Sequence, residues 1–253
     1  MDVKQVKKLY GLIGYPLSHS FSKRYFAEKF EKEHIGDSFY ELFPIASIKD
    51  LPQLIADHPN LVGLNVTIPY KEQILPFLDE IEEGAAAAGA VNTVLLKNGQ
   101  KKGYNSDVYG FIKSLENAMD QSRQSISKAL ILGTGGAAKA VKYALERKGI
   151  NTLYVSRTKG PGQLSYTDLT KDIVETHSLI VNTSPLGMAP KVDTFPNIPY
   201  HYIGENHLCF DLVYNPTMTL FLQKSQEQGA HTLNGLEMLY LQAEKSWEIW
   251  TTN

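Results

Sequence analysis

One cysteine, Cys209, stands among 253 residues. No disulfide can form within the chain, and a reducing setting, the cytoplasm, is the expectation. Cys209 sits in the apolar run Leu208 to Val213 and reads as a packing residue rather than a nucleophile. An excess of charge is missing too: 25 Lys and Arg against 27 Asp and Glu leave a formal net charge of -2. A nucleic-acid partner would want a basic excess, so none is expected. No apolar stretch is long enough to span a bilayer, and the start Met-Asp-Val-Lys lacks a signal-peptide pattern, so neither a membrane partner nor a leader is expected. Low-complexity linkers and internal repeats are absent as well. What remains is a chain of ordinary globular composition with room for two modest domains.

Strand-like and helix-like stretches alternate through the first half, which predicts a parallel sheet with helical crossovers. Leu9 to Gly14 reads as a strand running into a turn at Gly14 and Pro16. Ser18, His19, Ser20 and Ser22 follow at once. One serine as a helix cap is the plain reading; a loop so dense in hydroxyls is also a natural cradle for a carboxylate. His19 reads as structural. Ser38 to Phe43 and Leu61 to Ile68 read as further strands, the latter closed by Pro69. Lys71 lies just past it, either an exposed lysine or, if held beside a carbonyl, a proton donor. Residues 72 to 83 read as a helix, and 85 to 90 as small side chains suited to close packing. Asn92, in the strand reading of Gly89 to Val94, is either satisfied by backbone or turned to a ligand. Asn98-Gly99 predicts a hairpin turn. Ser106 or Asp107 caps the next helix unless Asp107 faces Lys71.

The second half opens on Lys128 to Leu132, a strand followed directly by Gly133-Thr134-Gly135-Gly136-Ala137-Ala138 and then a helix. This is G-x-G-x-x-A in the strand-to-helix context that the dinucleotide fingerprint requires. Gly133 allows the tight turn, Gly135 admits a pyrophosphate to the backbone, and the helix N-terminus offers free N–H groups. At the end of the next strand, about 20 residues on, an NAD site places a carboxylate. Here stand Ser156, Arg157, Thr158 and Lys159, donors and cations that suit a ribose phosphate and point to NADP. Thr183 and Ser184, after a strand at Ser178 to Val181, fall on the same ligand-binding edge. A final helix is predicted over Leu236 to Trp250.

Taken in order, these motifs resemble the shikimate dehydrogenase family. G-x-P-x-x-H-S-x-S spans Gly14 to Ser22, N-V-T-x-P-x-K spans Asn65 to Lys71, and A-V-N-T spans Ala90 to Thr93. Asn105-Ser106-Asp107, the Gly133 to Ala137 turn, Ser156-Arg157-Thr158, Asn182 to Gly187 and Gly235 to Gln242 continue it over almost the whole chain. The resemblance implies an α/β fold: an N-terminal substrate domain (1–105 plus 235–253), a Rossmann-type NADP domain (106–234), and a cleft between them. It implies reversible NADPH-linked reduction of 3-dehydroshikimate to shikimate, a step toward chorismate and the aromatic amino acids. Ser20 and Ser22 would hold the substrate carboxylate; Thr67, Asn92 and Gln242 would bind its hydroxyls. Lys71 and Asp107 would be the catalytic pair, with Tyr214 supporting. Gly133, Thr134, Gly135, Gly136, Ala137, Ser156, Arg157, Thr158, Lys159, Thr183, Ser184 and Gly235 would serve the cofactor. No metal is expected, and the chain would act as a monomer or homodimer. Thr134 departs from the usual Ala, Ser156 from the usual Asn, and the chain is short after Gln242. A mixed quinate/shikimate enzyme and a non-catalytic NADP or metabolite sensor are the competing readings.

Overall fold

Proline and glycine placement sets much of the architecture. The structure, a computed structural model, describes residues 7–17, 20–122 and 125–252. Ser18 and His19 lie outside the described residues. The chain divides into two compact units, Met1–Ser106 with Ala243–Asn253 and Asp107–Gln242.

The first unit holds β1 (Lys8–Ile13), β2 (Ser38–Phe43), β3 (Leu61–Val66), β4 (Glu80–Ile81), β5 (Thr93–Lys97) and β6 (Gln100–Tyr104), ordered β2-β1-β3-β5-β6-β4. The sheet is parallel through β2-β1-β3 and at the β6-β4 edge, as the alternation of strands and helices predicts; β5 runs antiparallel to β6, as the Asn98-Gly99 hairpin predicts, and also to β3, which the parallel expectation did not include. The β5-β6 pairing has a local reason. Asn98 and Gly99 take φ of 55° and 77°, the left-handed pair that a two-residue hairpin needs, so the chain returns at once without a crossover. The helix predicted over 72–83 is also broken up. Pro76 has no N–H to give, and the segment splits into a short helix Tyr70–Gln73, a 3-10 turn Leu75–Phe77 and β4. The small-residue run instead forms helix Glu83–Ala88, ended by Gly89 at φ 63°.

Alternate residues of β1 serve two cores. Leu9 and Ile13 join Leu64, Val66, Tyr70 and Val94, while Tyr10 and Leu12 join Phe26, Phe30, Tyr40 and Trp250. Trp250 stacks on Tyr10 at 5.0 Å and donates its indole N–H to the Val94 carbonyl at 3.0 Å. It fits because Gly63 on β3 presents bare backbone; a Cβ there would overlap the indole ring. Gly63→Ala should therefore cost about 3 kcal/mol, the upper part of the overpacking range. A lower urea midpoint with unchanged slope, and altered Trp fluorescence, would show it.

The second unit holds β7 (Lys128–Leu132), β8 (Asn151–Ser156), β9 (Gln163–Ser165), β10 (Leu179–Asn182), β11 (Leu208–Asp211) and β12 (His231–Leu233). They form one sheet, β12-β11-β10-β7-β8-β9, with every pair parallel. β7 pairs with β8 on one side and β10 on the other, so the strand order reverses at its carboxyl end, where such sheets bind ligands. Ala129 and Ile131 face one core and Leu130 and Leu132 the other, so both faces of this sheet are covered. The helix after β7 begins at Gly136, inside the glycine-rich motif itself.

Candidate functional site

In the first unit the candidate residues gather where β1 and β3 end. These strands pair in parallel, Ile13 beside Val66, so the loops leaving them are neighbours. Thr67 is pinned through its backbone: its N–H donates to Ile13 O at 3.0 Å and its carbonyl accepts from Tyr70 N. Gly14 makes room, since a Cβ there would lie 2.5 Å from Thr67 Cγ2. The Thr67 hydroxyl has no hydrogen bond among the described residues. Lys71 follows on the short helix, half-buried, and its carbonyl accepts from Val91 N at 2.8 Å. That bond ties the base of the lysine to the segment that delivers Asn92.

For Asn92, one side of the choice posed by the sequence is met: its amide oxygen is satisfied from within the fold. Its Oδ1 accepts from Ser106 N at 2.7 Å, Ser106 Oγ at 3.2 Å and Thr93 Oγ1 at 3.2 Å. A backbone N–H can only donate, so the Ser106 bond fixes which way the amide points. The Nδ2 donors are thereby turned away and have no partner among the described residues. Behind Asn92 lies a buried polar cluster. Asn65 Nδ2 donates to Ser246 Oγ at 2.9 Å and to Thr93 Oγ1 at 3.3 Å, and Asn65 Oδ1 accepts from Tyr40 Oη at 2.8 Å. Burial pushes the Tyr40 hydroxyl far up, so it stays a neutral donor, the nearby Ser22 opposing the shift without reversing it. Ser20 caps helix Phe21–Lys32 by accepting from Lys23 N at 3.3 Å. The plain reading thus holds for Ser20, yet accepting leaves its own O–H to give. Sequence reasoning missed the hub role of Asn65. The signal was available: an Asn in an apolar strand needs partners, whichever strand it is.

In the second unit, Asp107 lies in the first turn of helix Ser106–Ser122, half-buried. One turn on, Gly110 packs against the final helix, Leu236–Thr252. A Cβ on Gly110 would lie 2.7 Å from Met238 O and 3.2 Å from Gln242 Cβ. Glu237 reinforces the pair by accepting from Ser114 Oγ at 3.1 Å and Asn117 Nδ2 at 2.8 Å. The helix stretches bearing Asp107 and Gln242 are thus held at close quarters, with Gln242 Nε2 donating to Leu239 O. Gly235 lets the final helix start against bare backbone: a Cβ there would overlap the Leu212 carbonyl. Tyr214 is 40% exposed just beyond β11, outside the core.

Eight of the twelve predicted nucleotide residues border a cavity of about 410 Å³ at the reversal of strand order. Gly133, Thr134, Gly135, Ser156, Arg157, Thr158, Thr183 and Ser184 border it. Gly133 has φ 122°, and a Cβ there would meet Thr183 Oγ1 at 2.6 Å. Helix Gly136–Arg147 starts at Gly135 with no side-chain cap, so its first N–H groups stay available to a phosphate. Among the described residues, Arg157 is the one charged side chain in the wall. The donor set therefore fits a phosphorylated dinucleotide. Gly136, Ala137 and Gly235 do not border the cavity. Neither does Lys159, whose ammonium pairs with Asp168 at 3.3 Å. Gln163 and Tyr166 do border it and were not anticipated. A second cavity, about 450 Å³, opens in the first unit beside Leu51, Leu61 and Leu96. It lies at the other ends of β3 and β5 from Thr67 and Asn92, touches none of the candidate residues, and has no place in the chemistry. Among the described residues no helix is long and apolar enough to cross a membrane, and no His/Cys/Asp/Glu cluster could hold a metal.

Comparison with known proteins places these features. The family model for the shikimate dehydrogenase substrate binding domain matches residues 12–94. The shikimate dehydrogenase (NADP(+)) of Carboxydothermus hydrogenoformans is 38% identical, covering 99% of this chain and 94% of that one. The crystal structure of a Thermus thermophilus shikimate 5-dehydrogenase with NADP(H) and shikimate superposes with a TM-score of 0.83 at 28% identity, covering 97% of this chain and 94% of that one. A Corynebacterium glutamicum quinate dehydrogenase in complex with NAD superposes with a TM-score of 0.85 at 26% identity, covering 98% and 94%.

Proposed function

This chain belongs to the shikimate dehydrogenase family, and we propose that it interconverts 3-dehydroshikimate and shikimate with NADP, using Lys71 and Asp107 at the reacting oxygen. The reach of the similarity carries this reading: it runs through both units, so the substrate half and the nucleotide half are present together. When bound, NADPH supplies a hydride to the ketone carbon. The chain's residues do the rest. The carbonyl oxygen gains negative charge as the hydride arrives; the Lys71 ammonium stabilises that charge and gives the oxygen its proton. Asp107 orients the ammonium. Ser20 and Ser22 give hydrogen bonds to the substrate carboxylate. Thr67, Asn92 and Gln242 hold the ring hydroxyls, with the outward Asn92 Nδ2 as the best-defined donor. Tyr214 supports the ring. Arg157 takes the ribose 2′-phosphate, with Ser156 and Thr158 beside it, and Gly133 to Ala137, Thr183 and Ser184 hold the rest of the nucleotide. The enzyme works in the cytoplasm, as a monomer or homodimer, on the route to chorismate.

The test is shikimate oxidation by the purified protein, followed as NADPH absorbance, with NAD and quinate as alternatives. NADP should be preferred over NAD by about 10- to 100-fold in kcat/KM, the worth of one charged hydrogen-bonded contact. Faster turnover of quinate than of shikimate would move the chain to the rival specificity. Nucleotide binding without turnover of either acid would make it a sensor.

A further inference from the structure

Arg157 does not stand alone at its end of the nucleotide cavity. β9 is only three residues long, but it pairs in parallel with β8 in a fixed register, Tyr154 beside Gln163 and Ser156 beside Ser165. The next residue on each strand is then Arg157 on one and Tyr166 on the other, so the two leave the sheet side by side. Both border the cavity.

Several bonds hold Tyr166 in that place. Ser165 and Asp168 form a reciprocal cap on the turn Tyr166–Asp168: Asp168 Oδ2 accepts from Ser165 N at 2.9 Å and from Ser165 Oγ at 2.7 Å. Asp168 Oδ1 meanwhile pairs with Lys159. The carboxylate nearest in sequence to the cavity is therefore spent on the turn and on Lys159, and its proton affinity is held below the usual carboxylate range by those bonds. Gln163 fixes the other side, donating from Nε2 to the Thr158 carbonyl at 3.0 Å. The ring of Tyr166 is half-buried against the core of the second unit, while its hydroxyl has no hydrogen bond among the described residues. A phenol with a fixed ring and an uncommitted O–H on a cavity wall is a donor that lacks an acceptor. Burial raises its pKa and the nearby Arg157 charge opposes that, so it remains a protonated donor in the guanidinium's field.

We propose that Tyr166 is a second determinant of NADP over NAD: its hydroxyl donates to the ribose 2′-phosphate that Arg157 holds. This rests on the NADP reading above. A phosphate offers the guanidinium and the phenol three charged acceptor oxygens, whereas a bare 2′-hydroxyl offers one neutral oxygen and much weaker bonds. Because Lys159 is tied to Asp168, the site has one cation for a dianion, and a neutral donor beside it fills the gap.

Tyr166→Phe keeps the ring and removes only the donor. The probes are 2′,5′-ADP and 5′-AMP, titrated calorimetrically onto the full-length protein without substrate. The variant should bind 2′,5′-ADP about tenfold more weakly, as expected for one hydrogen bond to a charged group, and 5′-AMP unchanged. KM for NADP should rise to match while kcat at saturation stays put. Equal weakening of both probes would reduce Tyr166 to packing, and no weakening of either would remove it from the site; both overturn the proposal. Arg157→Ala separates the two levels of the argument. If it too leaves 2′,5′-ADP binding unchanged, the NADP reading fails with the proposal. If it weakens 2′,5′-ADP while Tyr166→Phe does not, only Tyr166 is dismissed.

Discussion

Lys71→Ala is expected to lose shikimate turnover by about a thousandfold while keeping its fold, since positioned proton transfer contributes roughly 10²- to 10⁴-fold. The loss should appear equally in kcat and kcat/KM, because the ammonium is needed when the oxygen becomes charged rather than when the ring docks. The surroundings are built to hold that side chain in register. Pro69 stands at the N-cap of the short helix that carries it, and the Lys71 carbonyl takes the Val91 N–H, so the lysine and Asn92 are placed by the same few backbone bonds. None of those bonds uses the side chain, so truncation at Cβ leaves the frame standing. Asp107→Ala should fall in turnover to a similar degree. The residue before it, Ser106, is locked by its bonds to Asn92 Oδ1, and Gly110 one turn later is packed on the final helix. Circular dichroism and urea midpoints close to the parent would show that both variants fold. A Lys71→Ala protein that retains a tenth or more of parental turnover would take the lysine out of the chemistry.

Much of this frame could be read from the residues, because the informative ones act locally. Asn98-Gly99 announces its hairpin through backbone preferences alone. The spacing of Gly133 and Gly135 between a strand and a helix, and Arg157 standing where an acid would serve a bare ribose, are legible in the same way, and all three border one cavity. The unread parts depend on contacts between distant segments. Pattern gives the face on which Asn65 lies, but not that Tyr40, Thr93 and Ser246 converge on it from other elements. Gly63 and Gly235 need no unusual φ; they are glycines because an indole ring and a carbonyl approach from elsewhere in the chain. Tyr166 follows a strand of three residues, too short to show a period, just after Gly160, Pro161 and Gly162. The helix predicted over 72–83 failed for a different reason: Pro76 stands inside it and overrides the local helical tendency.

Asp211 links the wall of the 410 Å³ cavity to stability, and its variants carry the second large effect. It is fully buried at the end of β11. Its Oδ1 accepts from Asn182 Nδ2 and Val213 N, each at 3.0 Å, and its Oδ2 accepts from Thr219 Oγ1 at 2.6 Å. Asn182 in turn accepts from Ser184 N and Oγ, and Ser184 borders the nucleotide cavity. Asp211→Ala removes the acceptor from three buried donors and should cost about 3–5 kcal/mol, with weakened NADP binding. Asp211→Asn is more informative, because it keeps the shape and removes the charge; its Oδ1 still accepts from Asn182 and Val213, while its Nδ2 donates to Thr219 Oγ1 instead of accepting from it. Burial outweighs the three donors and lifts the Asp211 carboxyl to about 6. Between its ordinary value near 4 and pH 6, the unfolded chain has released this proton and the folded chain still holds it, so stability falls as pH rises through the window. The loss amounts to about 3 kcal/mol by pH 7. Asp79, Glu116 and Asp168, held below the usual range by lysine or backbone partners, slope the other way: their contribution is lost as pH falls. They are present in both proteins and cancel in the difference. The stability of Asp211→Asn minus that of the parent, from urea unfolding at fixed pH, should therefore climb by about 2 kcal/mol from pH 4 to pH 7. A flat difference would mean that Asp211 ionises in the fold as it does in water, and that its three donors fully offset the charge they enclose.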